Sequence, residues 1–327
     1  MPDFTLDTYR LLLETLLSKD YSFVPFVEYL KAPVPGCVIL RHDVDDKKLN
    51  SLETARLENE LGIRGTYYFR MVPESFDEEV IKKIHELGHE VGYHYEDVSM
   101  NAVRGTWYAV RGRKAQGSGR RAPTFAKASA GKAGKKELQD RLVTDAIKSF
   151  QKNLETLRQI VPIETICMHG SPLSRWDNRL LWQYYDYHDF GIKGEPYFDL
   201  DFNEVLYLTD TGRRWDGDAV SVRDKAQGAG HRAQGQERLS DGVTKGRSDK
   251  KHLTPHTSRL TPFSRFHSTF DIIRAAQTNA LPDKIMLTVH PQRWTNRPLP
   301  WIRELVWQNV KNAGKWAVVR SRRKSDL

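Results

Sequence analysis

Acidic, basic and histidine side chains recur at the ends of short apolar runs, and that placement gives the sequence a possible chemistry. The run CVIL leads directly into Arg41, His42, Asp43, Val44, Asp45 and Asp46, and so many ionisable groups at one strand end are costly unless paired or metal-bound. With a period of two, Asp43 and Asp45 point to the same side, so that one carboxylate can ligate a cation while the other accepts a proton from a bound water. GTYYF ends at Arg70, a candidate oxyanion or carboxylate partner. GHEVGYHYED puts His94 at the exit of its run beside Glu96 and Asp97, where an imidazole suits a divalent metal; His89, ahead of the run, reads as structural. ETICM ends at His169-Gly170-Ser171-Pro172, where the glycine lets a ligand approach the backbone closely. A later run ends in Asp210-Thr211-Gly212-Arg213-Arg214-Trp215, offering a carboxylate, guanidinium groups and an aromatic plate suited to a sugar face; IMLTV ends at His290-Pro291-Gln292-Arg293-Trp294.

The elements that must position these groups are short apolar strands alternating with amphipathic helices, the sequence form of repeated βα units. The strand candidates are Cys37–Leu40, Thr66–Phe69, Glu90–Tyr93, Thr165–Met168, Phe190–Ile192, Val205–Leu208, Ile285–Val289 and Ala317–Val319. Most are wholly apolar, as strands covered on both faces should be. Phe76, Val80, Ile84 and Leu87 make one helical face, ended by Gly88. Val143, Ile147, Phe150, Leu154, Leu157 and Val161 make a second, stopped by Pro162, and Ser268 with Asp271 forms a capping box for a third. These features predict one α/β domain spanning residues 1–327, a parallel barrel with outer helices and its chemistry at the carboxyl ends of the strands.

Composition narrows the class. The chain has 327 residues, 39% hydrophobic and 28% charged, with mean hydropathy −0.62, which suits a globular core and excludes both an unfolded polyelectrolyte and a membrane-embedded protein. The start of the sequence shows no basic leader or small-residue cleavage site, so a cytoplasmic location is expected, with no membrane partner. Cys37 and Cys167 lie in apolar runs and are expected to be buried and reduced. The net charge of +9 would suggest nucleic acid. However, segment 111–136 alone carries +9 and segment 223–251 carries +4, which exceeds the total and leaves the rest at −4. These segments share a near-repeat, KAQGSGRRA and KAQGAGHRA, and lack apolar periodicity. They read as low-complexity loop insertions, and no nucleic-acid partner is expected.

The order D-x-D on the first strand, G-H-E-V-G-Y-H on the third and L-T-V-H-P on a late one resembles the polysaccharide deacetylases, carbohydrate esterase family 4, and within them the bacterial branch opening with R-H-D-V-D. The likeness runs from about Val38 to Trp294, the insertions excepted. It implies a single distorted (β/α)7-type barrel and metal-dependent removal of N-acetyl groups from amino sugars. Carried over residue by residue, Asp43 takes the position of the catalytic base, Asp45 that of the metal-binding aspartate, His94 that of the first metal histidine and His290 that of the catalytic acid. Two departures follow: the second metal histidine, usually four residues after the first, is replaced by Val98, and the arginine-proline motif of the middle strand by His169-Gly170-Ser171-Pro172.

Asp45 and His94 alone would hold a metal weakly, since zinc sites use three or four protein ligands. His169 is the candidate third ligand, with Glu96 or Asp97 as the fallback; His169 serves equally well as a hydrogen-bond partner of substrate. The expected cofactor is a divalent ion, Zn before Co or Mn, and Arg70, Arg214 and Trp215 are expected to bind a small carbohydrate or glycan precursor. The expected function is hydrolysis of a carbon–nitrogen bond in an acetylated amino sugar. Its alternative is a degenerate carbohydrate- or nucleotide-binding protein on the same barrel.

Overall fold

The computed structural model describes residues 1–103, 132–170, 174, 176–215 and 266–310. The expected strand Ala317–Val319, the basic residues Arg320, Arg322, Arg323 and Lys324 that follow it, segment 223–251 and residues 111–131 of the first insertion lie outside them. Residues 132–136, expected to belong to that insertion, instead begin a helix, Lys132–Arg158.

Seven parallel strands form one sheet: β1 (Ser22–Val24), β2 (Cys37–Val44), β3 (Thr66–Phe69), β4 (Glu90–Tyr95), β5 (Ile166–Met168), β6 (Leu206–Thr209) and β7 (Lys284–Val289). Their order is β5-β4-β3-β2-β7-β6. Strand β2 is the axis. Along one side it pairs with β7 from Cys37↔Lys284 to His42↔Val289; the other side is shared by β1, opposite Cys37–Ile39, and β3, opposite Arg41–Val44. Among the described residues β5 and β6 are not bonded to each other, and the described strands form a curled, parallel α/β half-barrel.

The expected strand Phe190–Ile192 is not one. Asp186 accepts a hydrogen bond from the main-chain N of His188 and starts a 3-10 turn, Tyr187–Phe190, which Gly191 ends at φ 70°. The left-handed glycine falls in the middle of the expected strand, between Phe190 and Ile192, and the capping acid turns the residues before it into a helical turn. The sheet gains β1 instead, a half-exposed three-residue strand without a clear sequence pattern.

Helices cover the outer face: α1 (Leu6–Leu17), α2 (Phe26–Lys31), α3 (Lys48–Glu60), α4 (Glu78–Glu86), α5 (97–103), α6 (Lys132–Arg158), α7 (Pro196–Asp199), α8 (Thr269–Gln277) and α9 (298–310). Asp77 caps α4 by accepting from the main-chain N of Val80, and the chain leaves it through Gly88 at φ 88°. Ser268 and Asp271 make the capping box of α8. The stripe of α6, Val143, Ile147, Phe150, Leu154 and Leu157, is buried against β4 and β5 in one core cluster. A second cluster joins α1 and α8 to β2 and β7. Each large apolar side chain buried there contributes about 1.5–3 kcal/mol. Cys37 and Cys167 are both buried and free of disulfides.

Candidate functional site

Alternation along β2 separates its polar residues. His42 faces outward, stacked on Tyr67 with ring centroids 3.9 Å apart, and its Nε2 lies 2.8 Å from Glu58 Oε1. Arg41 and Asp43 face the concave side. The Arg41 guanidinium donates through Nε to Asp43 Oδ1 (2.8 Å) and through Nη2 to Oδ2 (2.7 Å), a two-pronged bond between almost fully buried groups. Burial pushes the Asp43 carboxyl up, but Arg41 foremost, then His94 and His290, outweigh it and hold Asp43 below the usual carboxylate range.

Asp45 follows the strand, and its Oδ1 is the focus of the site. His94 Nε2 lies 3.5 Å from that oxygen and His169 Nε2 3.4 Å. His94 extends from β4 and directs Nδ1 at the main-chain oxygen of Cys167, 3.0 Å away on β5. That carbonyl only accepts, so Nδ1 carries the proton and Nε2 presents its lone pair to the site. The neighbouring Gly92 is required by a close approach: a side chain there would run into the Tyr68 ring and the Thr165 main-chain oxygen. His169, just past β5, places Nδ1 3.0 Å from Glu96 Oε2. Glu96 is held in turn by Arg70, which donates to Oε1 from Nε (2.8 Å) and Nη2 (2.6 Å).

His290 follows β7. Its main-chain N donates to Asp210 Oδ2 (3.0 Å), its Nδ1 lies 2.5 Å from Asp210 Oδ1, and its Nε2 faces Asp45 Oδ2 at 3.8 Å. Asp210, just past β6, also accepts from Arg293 Nη1 (2.5 Å) and Trp294 Nε1 (2.8 Å). Burial raises its pKa, but Arg293 and His290 prevail and bring it down to about 2. Asp210 is a functional candidate that the sequence reading mentioned only as one carboxylate at a strand end; its partner lies 80 residues on, and only the β6–β7 pairing joins them.

The six groups Asp43, Asp45, His94, His169, His290 and Arg70 therefore converge, from the ends of β2, β3, β4, β5 and β7. Arg70 arrives as a carboxylate partner, bonded to Glu96, and its Nη1 donates to the main-chain oxygen of Asp45 (3.2 Å). The aromatic plate is placed elsewhere. Trp215 is 3% exposed, packs against Phe4 and Trp294, and donates through Nε1 to Thr269 Oγ1. Arg214 is half-buried, and Arg213 lies between the rings of Phe4 and Trp301. Asp97 turns away from the site, accepting from Tyr93 Oη (2.7 Å) and Asn153 Nδ2 (2.9 Å). Val98 is wholly buried in the core, so a ligand in that position would have had to leave the apolar cluster. His89 donates to and accepts from main chain, at Ala55 O and Gly65 N, as a structural histidine does.

Asp45 Oδ1, His94 Nε2 and His169 Nε2 all lie within 4.8 Å of one another, and Oδ1 is buried without a hydrogen-bond partner among the described residues. A buried carboxylate oxygen facing two imidazole nitrogens is what a cation would satisfy. Spacings of 3.4 and 3.5 Å match donor atoms sharing one four-coordinate ion, for which bonds of about 2.1 Å give tetrahedral edges of about 3.4 Å. A second grouping, Asp43, His94 and Cys167, fits less well, because Arg41 already occupies both Asp43 oxygens and burial keeps the Cys167 thiol protonated. Comparison with models of protein families, with curated proteins and with solved structures returned no match.

Proposed function

We propose that the chain is a metal-dependent hydrolase of the polysaccharide-deacetylase type that removes an acetyl group from an N-acetylated amino sugar. The observation that carries this reading is the unsatisfied Asp45 Oδ1 between two histidine nitrogens, with a second carboxylate, Asp43, 3.7 Å from His94 Nε2 and a third imidazole, His290, 3.8 Å from Asp45 Oδ2. The resemblance in sequence supports a distorted barrel of the (β/α)7 type, of which the half-barrel is the coarser form.

Asp45, His94 and His169 would hold the divalent ion, which on this reading is Zn, Co or Mn. Bound there, it would polarise the amide carbonyl and acidify the attacking water. The remaining steps belong to the chain. Asp43, kept ionised by Arg41, accepts the proton of the water. His290 delivers a proton from Nε2 to the departing amine, while Asp210 fixes the ring through Nδ1 and stabilises its charged form. Glu96 and Arg70 hold His169 in place.

The test is release of acetate from a panel of N-acetylated amino sugars by metal-reconstituted protein, set against Asp43→Asn and His290→Ala. Loss of about two or more orders of magnitude in both variants supports the reading. Full activity in Asp43→Asn overturns it. Tight sugar binding without turnover would favour the binding-protein alternative.

A further inference from the structure

Helix α9 has its faces reversed. Trp301, Glu304, Leu305 and Gln308, at three- and four-residue spacing, turn inward, and Glu304 and Gln308 are each only 8% exposed. Glu304 accepts from Lys47 Nζ (2.8 Å) and from Gln308 Nε2 (2.8 Å), and Trp301 Nε1 donates to the main-chain oxygen of Asp3 (2.8 Å). The opposite face carries Leu299, Ile302, Val306 and Val310, exposed by 80, 51, 56 and 58%. A helix on the surface of a globular protein ordinarily turns its apolar stripe inward. An aliphatic stripe left outward marks an interaction surface.

The charge around the stripe selects the occupant. Arg303 lies within it, exposed and without a hydrogen bond or ion pair among the described residues. Glu304 is the one acid in 298–310, and it points inward to Lys47. A second copy of this chain docked about a two-fold axis would bring Arg303 towards its own counterpart, with no carboxylate on the stripe to neutralise either. The sequence that follows, 311–327, has six Lys or Arg and one acid, so as an occupant it would add like charge. An anionic, amphiphilic partner satisfies both the aliphatic side chains and the cations.

We propose, against the expectation of no membrane partner, that the exposed face of α9 docks on an anionic lipid surface, lying in the headgroup plane. No helix among the described residues is long and apolar enough to cross a membrane, and docking of this kind requires none. The Lys47–Glu304 bond ties α9 to the turn two residues after Asp45, so docking would hold the rim of the candidate site beside the headgroups. This inference stands on α9 and does not depend on the hydrolase reading.

Vesicle flotation with the full chain tests it, using phosphatidylcholine alone and phosphatidylcholine with added phosphatidylglycerol. The protein is expected to float with the anionic vesicles at low salt, about tenfold more weakly with the neutral ones, and less as salt is raised. Ile302→Glu with Val306→Glu should weaken anionic binding by about tenfold or more at an unchanged melting temperature. If that variant unfolds, Arg303→Glu, which leaves every apolar residue in place, decides by the same loss. No flotation with either vesicle, or undiminished binding by a folded variant, overturns the proposal. So does a wild-type dimer in light scattering that the double variant dissociates, which would assign the stripe to a second copy.

Discussion

Asp210 and His290 end adjacent strands and meet through two bonds at once, the His290 main-chain N to Oδ2 and Nδ1 to Oδ1. The double contact fixes both the backbone and the ring of His290, so that Nε2 faces Asp45 Oδ2 at 3.8 Å. A carboxylate behind an imidazole selects the tautomer and stabilises the imidazolium, as in hydrolytic triads.

Asp210→Asn should therefore lower kcat on a hydrolysed substrate by about 10²- to 10⁴-fold and leave KM nearly unchanged, because the ring loses its partner while the pocket keeps its shape. Steady-state kinetics beside a far-ultraviolet dichroism control separate this from misfolding. An equal rise in KM with unchanged kcat would count against it.

Asp45→Ala, His94→Ala and His169→Ala should each purify with far less than the wild type's metal. Stabilisation on adding Zn²⁺ should also fall in each, since a three-ligand set loses a third of its donors. Elemental analysis decides. Metal retained in His169→Ala alone would move that histidine to substrate binding.

Glu96→Gln should weaken metal affinity by about 10- to 100-fold without removing a ligand, because the Glu96 carboxylate lies 3.0 Å from His169 Nδ1 and its charge is lost. Competition with a chromophoric chelator measures this. Arg70→Met should fall in the same direction, since Arg70 holds Glu96 through two donors.

Burial, more than any neighbouring charge, pushes Asp97 up to about 7 and Glu195 up to about 8. An acid whose folded-state pKa lies above its unfolded value is protonated preferentially when folded. Its penalty is absent below about pH 4, accrues as pH rises towards the folded pKa and is constant above it. With chelator present, the melting temperature should fall from about pH 5 to pH 8, and Asp97→Asn should flatten the part of that slope below about pH 7. An unchanged slope would show that Asp97 is ionised in the folded state throughout.

What could be read from the sequence was local. The apolar runs and their exits located six of the seven strands among the described residues, because buried parallel strands are continuously apolar. The period of two placed Asp43 and Asp45 on one side, and exit positions singled out His94, His169 and His290. Register and side-chain direction were decided by tertiary structure. Only the pairing of β4 with β5 brings His94 Nδ1 to the Cys167 carbonyl, and only that of β6 with β7 puts Asp210 behind His290. Trp215 and Asp97 lie close in sequence to the site yet turn into the core, the one to Thr269 and the other to Tyr93 and Asn153. A side chain's surroundings depend on elements far along the chain, and spacing alone carries no record of them.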